Sequence, residues 1–245
     1  RDLRMSRGLG DVYKRQTPVF HAVSTFDILN EMFIRSKFHF GTADERELAG
    51  KMIDAVAQDV YYKDEPQIWI FDRGFPSLSL IQKLLEHRLY FVMRVSSSFL
   101  KEVNAFRKSK YVDRVIHIEY SERRATQNHV HSDGISQFDL RCVRVKLPSG
   151  EDEILVTNLD RKDFPKRDIK EIYRLRWGIE TGFNYLKNAV FVEEFVSKTE
   201  NGLAQDYFVS LLVYNFATCI CGSMYPNIPK KENTSTRSIE ELPPD

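Results

Sequence analysis

Apolar and polar positions change rhythm along this chain, and each change marks a different element. From Thr17 the residues Val19, Ala22, Val23, Phe26 and Ile28 fall in a β-rich stretch, and Met32 to Phe40 partly alternates apolar with polar. Two adjacent strands are predicted. Thr42 stands three residues before Glu45, a capping-box spacing, and Leu48, Met52, Ile53 and Val56 then supply one apolar helical stripe. Gln67 to Asp72 (QIWIFD) is a short apolar run that ends in a carboxylate, and Arg73-Gly74-Phe75-Pro76 turns the chain. Leu78 to His87 reads as a helix and Leu89 to Val95 as a buried strand. Strand, helix and strand of these lengths predict a right-handed crossover and a parallel pair. Side chains that do chemistry gather at the carboxyl ends of such strands, and Asp72 is at one of them.

The rhythm shortens from about Tyr111 to Asn158, where VIHIEY, FDLRCVRVKL and EDEILVTNL are separated by turn-rich HSDG and PSG. An antiparallel β region is expected there, between the crossover unit and a helical tail. That tail should hold one helix from Asp168 to about Val190 and another from Leu203 to Cys221. Residues 1–16 follow neither period, and LGDVYKRQ resembles translated adaptor sequence. They are set aside as a non-native or disordered tail. Residues 226–245 are polar and proline-rich and read as a second tail. The expected divisions are thus 17–110, 111–158 and 159–225 between two tails.

Composition narrows the function classes. The 245 residues are 42% hydrophobic and 29% charged, with a net charge of +1, which excludes a histone-like polybasic binder. Three cysteines (Cys142, Cys219, Cys221) build no disulfide framework and no zinc motif, so a reducing compartment is expected. The most apolar stretch, Tyr207 to Cys221, is too short and too polar for a membrane span, and a buried helix is expected instead.

Candidate chemistry lies on the helix around Arg176. At about 100° per residue, Tyr173, Arg176, Glu180 and Lys187 would share a stripe roughly 60° wide. Ile172, Leu175, Ile179, Phe183 and Leu186 would form the neighbouring core stripe. An Arg176–Glu180 pair on a solvated flank is common and weak. Lys187, however, keeps the register too far along to neutralise Glu180. The window Arg161 to Val190 also carries eight basic residues against four acidic ones, so this face is more positive than the chain as a whole.

The spacing Tyr173-x2-Arg176-x3-Glu180-x6-Lys187, within YRLRWGIETGFNYLK, resembles the Y-R-E-K signature of bacterial insertion-sequence transposases of the DDE type, insertion-sequence family 4. IFDRGF, ADERELA, ILVTNL and VEEFVSKTENGLAQDYF are similar to the surrounding segments of that family, and the likeness runs from about Thr17 to Gly222. The resemblance implies an α/β, RNase H-like mixed sheet flanked by helices, with the β region of 111–158 as an insertion before the Glu-bearing helix. It implies Asp72 as the second catalytic Asp and Glu180 as the catalytic Glu. Both would be ligands of Mg²⁺ or Mn²⁺, two ions in all. Arg176 and Lys187 would contact phosphates, with Tyr173 in support. The implied partner is double-stranded DNA, both transposon ends and target, bound by a homo-oligomer in the bacterial cytoplasm at the nucleoid, with no membrane.

The family's first Asp should precede the hairpin, and none is found there. Asp11 lies in the adaptor-like segment, and Asp27 is expected at a sheet edge or turn. The chain therefore reads as the C-terminal part of a transposase that is itself inactive. The alternatives are another RNase H-like nuclease, or a remnant that binds only DNA or a partner transposase. Among other residues, His129, His131 and Asp133 read as an exposed loop, and Trp69 and Trp177 as core or near-core. Cys219 and Cys221 read as buried thiols. Lys101, Arg107, Lys108, Lys110 and Arg114 form a basic run, either a solvated face or a DNA contact.

Overall fold

The alternation read near the start of the chain is a hairpin. The computed structural model describes residues 20–40, 44–119, 121, 137–147, 150–189, 197 and 199–224. In it, β1 (Phe20–Asp27) pairs antiparallel with β2 (Met32–Phe40), with an irregularity at Thr25/Phe26. Asp27 is the turn residue expected. Its carboxylate accepts the N–H groups of Leu29 and Asn30 at 3.0 and 3.1 Å and the Asn30 amide at 2.6 Å. Such bonding to the following backbone is why Asp favours turns.

Among the described residues the chain divides into two compact units, one formed by those up to Leu48 and those from Trp177 to Met224, the other by those from Ala49 to Arg176. In the second unit, β3 (Ile68–Phe71) and β4 (Tyr90–Arg94) are parallel, as the crossover pattern predicts, joined through α2 (Leu78–Glu86). Ser77 starts α2, its hydroxyl accepting the Leu80 N–H at 3.2 Å. β5 (Asp113–Glu119), β6 (Gln137–Lys146) and β7 (Asp152–Thr157) are antiparallel neighbours. β7 pairs directly with β4, giving one mixed sheet ordered β3-β4-β7-β6-β5. The β region after Tyr111 therefore continues the sheet of the crossover unit.

Alternation along these strands sends side chains to two cores. Phe91, Met93, Leu140, Cys142, Ile154 and Val156 pack with α1 (Glu45–Ala57), α2 and α3 (Lys101–Lys108). Val92, Val143, Val145 and Leu155 pack on the other face with α4 (Lys166–Arg174), through Ile169, Ile172 and Tyr173. The sheet is covered on both faces, which is why β7 reads as an unbroken apolar run. The expected α/β mixed sheet flanked by helices is present. α3 has no clear apolar period in the sequence, because its charges hide a two-residue apolar stripe, Val103 and Phe106.

The first unit packs the hairpin against α5 (Trp177–Ala189) and α6 (Glu200–Met224). Tyr207 is fully buried, and its hydroxyl bonds the Ser24 and Ser36 hydroxyls at 2.9 and 2.8 Å. The Asn215 amide donates to the Phe33 carbonyl at 2.8 Å and accepts the Phe33 N–H at 2.9 Å.

The helix predicted from Asp168 to Val190 is two helices, broken by a turn at Leu175–Arg176 where the Arg176 N–H bonds the Tyr173 carbonyl. Its apolar stripe accordingly serves two cores: Ile172 belongs to one unit, Phe183 and Leu186 to the other. α6 is apolar nearly all round, but only one face is buried, through Leu203, Tyr207, Leu211 and Tyr214. Phe208, Leu212, Phe216 and Ile220 are exposed, as are Cys219 and Cys221, which were expected to be buried. Trp177 is 61% exposed, against the core place expected, whereas Trp69 packs partly buried as expected. Thr42, His129, His131 and Asp133 lie outside the described residues.

Candidate active site

The site begins at the carboxyl end of β3. Asp72 follows the last strand residue, and its carbonyl accepts the Phe75 N–H at 3.1 Å, closing the turn. Its carboxylate accepts the Arg73 N–H at 2.7 Å and is about one-third exposed. Arg176 comes from the turn after α4, and its guanidinium lies 3.9 Å from the Asp72 carboxylate while being 11% exposed. It also lies over the Tyr173 ring at 5.8 Å. Asp72, Tyr173 and Arg176, remote in sequence, thus converge within one unit.

Tyr173 is buried, and its hydroxyl has no hydrogen-bond partner among the described residues. Burial lifts its pKa well above the ordinary phenol value, and the negative charge of Asp72 adds to this. The hydroxyl therefore stays protonated and can donate. Beside it, Arg94 at the end of β4 pairs with Glu153 of β7 at 2.6 Å, and Glu153 is 8% exposed. Arg94 and Glu153 carry no sequence motif. Only the register of the parallel pair, which sets the end of β4 next to Asp72, signals Arg94.

Glu180 stands in the first turn of α5, half-buried, where the helix dipole favours a carboxylate. Lys187 lies on the same helix. Because the helix is interrupted before Trp177, the four signature residues do not ride one continuous helical stripe; Tyr173 and Arg176 belong to one unit, Glu180 and Lys187 to the other. Among the described residues, no three His, Cys, Asp or Glu side chains cluster as a metal site.

Residues 10–216 match the family described as the transposase DDE domain. This chain belongs to that family. The DDE domain resembles proteins named as transposases: y4zB of Sinorhizobium fredii, 26% identical over 60% of this chain and 40% of the relative. The product of insertion sequence IS4SA of Synechocystis sp. is 22% identical over 72% of this chain and 46% of the relative. That of IS5377 of Geobacillus stearothermophilus is 22% identical over 71% and 43%. The chain spans less than half the length of these curated relatives. Its fold is similar to that of the piggyBac transposase in a synaptic complex with hairpin DNA, with a TM-score of 0.55 and 13% identity, over 94% of this chain and 47% of that one. The DDE domain thus has the RNase H-like fold expected. No helix among the described residues is long and apolar enough to cross a membrane.

Proposed function

We propose that the parent protein of this chain is a DNA transposase that cuts phosphodiester bonds at transposon ends and joins the freed 3′-hydroxyls to target DNA. The convergence of Asp72, Arg176 and Tyr173 at the carboxyl end of a parallel strand carries this reading. Asp72 and Glu180 are the proposed metal ligands. A partly exposed carboxylate is a hard oxygen donor and fits Mg²⁺ or Mn²⁺. Two such ions, when bound, supply an activated water and stabilise the leaving oxygen. Arg176 provides a planar fork for a phosphate near Asp72, Tyr173 a protonated hydroxyl, and Lys187 a point charge. The proposed partner is double-stranded DNA, engaged by a homo-oligomer at the bacterial nucleoid.

Two carboxylates leave the ligand set incomplete. Asp27 does not complete it, since both its oxygens are held in the hairpin turn. The 245-residue chain is accordingly proposed to be inactive alone. The test is nicking of supercoiled DNA bearing transposon ends, with Mg²⁺. The parent protein should nick, while its Asp72→Asn and Glu180→Gln variants and the 245-residue chain should stay at background. Nicking retained by Asp72→Asn would overturn the assignment.

A further inference from the structure

Next to Asp72 the fold assembles positive charge that lies far apart in sequence. Phe71 pairs with Met93 in the parallel ladder, so Arg73 and Val95 both leave the sheet at the same end. Arg107, from the last turn of α3, donates from Nη2 to the Val95 carbonyl at 3.3 Å. That places the Arg107 guanidinium beside Val95, at the end of the sheet where Asp72 and Arg73 leave β3. Arg73 is exposed, and its guanidinium has no partner among the described residues. The Arg107 Nε is buried and likewise unpartnered. Arg107's pKa is lowered by burial first, then by the charges of Arg144 and Arg73, against the opposing charge of Asp152. Arg144 is committed elsewhere: it pairs with Asp152 at 2.6 Å and holds the carbonyls of Phe106, Arg107 and Ser109.

We propose that Arg73 and Arg107 form a pair that holds one backbone phosphate of duplex DNA beside Asp72. The positive charges of Arg73 and Arg107 repel each other, the Asp152 carboxylate that offsets this is itself bonded to Arg144, and an anion seated between the two guanidiniums would reverse the remaining cost. Phosphate oxygens match the guanidinium fork. Lys108 and Lys110, exposed just beyond Arg107, extend the positive edge for a polyanion rather than a small ion. The proposal rests on the transposase reading and assigns its DNA contact to residues outside the Y-R-E-K spacing.

The test is the salt dependence of binding between the 245-residue chain and a short duplex of arbitrary sequence, read by fluorescence anisotropy without divalent cations. Arg73→Gln should weaken binding about fivefold near 0.15 M salt and make the log–log slope shallower by about 0.9, the share of one phosphate contact. Arg73→Gln/Arg107→Gln should change the slope no further, since one phosphate is shared. Arg107→Lys, which keeps the charge, should retain the wild-type slope. Lys63→Gln is the control, because the Gln67 amide bond to the Tyr62 carbonyl sets that segment at the amino end of β3. It should behave as wild type. Unchanged affinity and slope in Arg73→Gln, with wild-type binding intact, would overturn the pair and leave the transposase reading standing. A wild-type chain that ignores duplex would likewise overturn the pair, while the transposase reading stands or falls on nicking by the parent protein.

Discussion

The guanidinium of Arg176 lies 3.9 Å from the carboxylate of Asp72, the one well covered and the other partly open to solvent. At that separation and exposure the pair contributes little to stability, about 1 kcal/mol at most. Under the proposed function its value is positional, holding a cation where a phosphate would approach the carboxylate.

Substitution at the two positions should therefore separate activity from stability. Asp72→Asn is expected to abolish nicking by the parent protein while shifting the unfolding free energy of this chain by less than about 1 kcal/mol. Arg176→Ala should cost more, about 1–3 kcal/mol, because it also removes packing over Tyr173. Urea denaturation of the purified chain measures both.

Acid should weaken the unit around Arg141. This residue is 3% exposed, pairs with Asp113 through two bonds of 3.0 and 2.8 Å, and reaches the carbonyls of Leu159, Asp160 and Phe164. Burial alone would raise the Asp113 pKa, but Arg141 and Arg161 more than offset it and hold it below the ordinary 3.8. A depressed carboxylate contributes stability that is full above its unfolded value and lost as pH falls through the folded one. Stability should thus decline below about pH 3.8, and Asp113→Asn should flatten that decline. Arg141→Met should cost about 3–5 kcal/mol at neutral pH, because Asp113 would be left buried without its main partner.

A gain is expected at the end of α2. Arg88 adopts φ 55°, donating to the Leu85 carbonyl, while the Leu89 N–H reaches back to the Leu84 carbonyl at 2.8 Å. Helices usually end this way on glycine, because a side chain is strained there. Arg88→Gly should stabilise the chain by up to about 1 kcal/mol, visible as a raised Tm with unchanged DNA binding.

The two faces of α6 should respond oppositely. Leu211 is 7% exposed and Leu212 67%. Leu211→Ala should cost about 2–5 kcal/mol as a cavity, whereas Leu212→Ser should stay within about 0.5 kcal/mol. Equal losses would mean that the exposed face is covered in the isolated chain.

Local patterns carried well where one period governed one environment. The hairpin, the parallel pair and the strand-end place of Asp72 all follow from alternation and turn residues. Asp27 was legible as a turn residue for the same reason. The helix break at Leu175–Arg176 was not, since no Gly or Pro marks it and the apolar stripe runs through it to serve two different cores. Trp177 misled because aromatic character says nothing about which side of a break it falls on. α6 misled because an apolar sequence records a burial requirement without saying which surface meets it. Arg94, Glu153 and the Arg73–Arg107 pair arise from strand register and a helix terminus, relations that linear spacing does not encode.

The discontinuity of the first unit has a consequence for synthesis. β1 and β2 leave the ribosome well before α5 and α6, which cover Phe33 and Phe38 and begin only at Trp177. At about 5–20 residues per second the apolar hairpin face waits roughly ten seconds or more for its cover. The sheet of the second unit is complete before that cover arrives. Nascent chains of this domain should need a chaperone at the hairpin until the helices from Trp177 onward emerge.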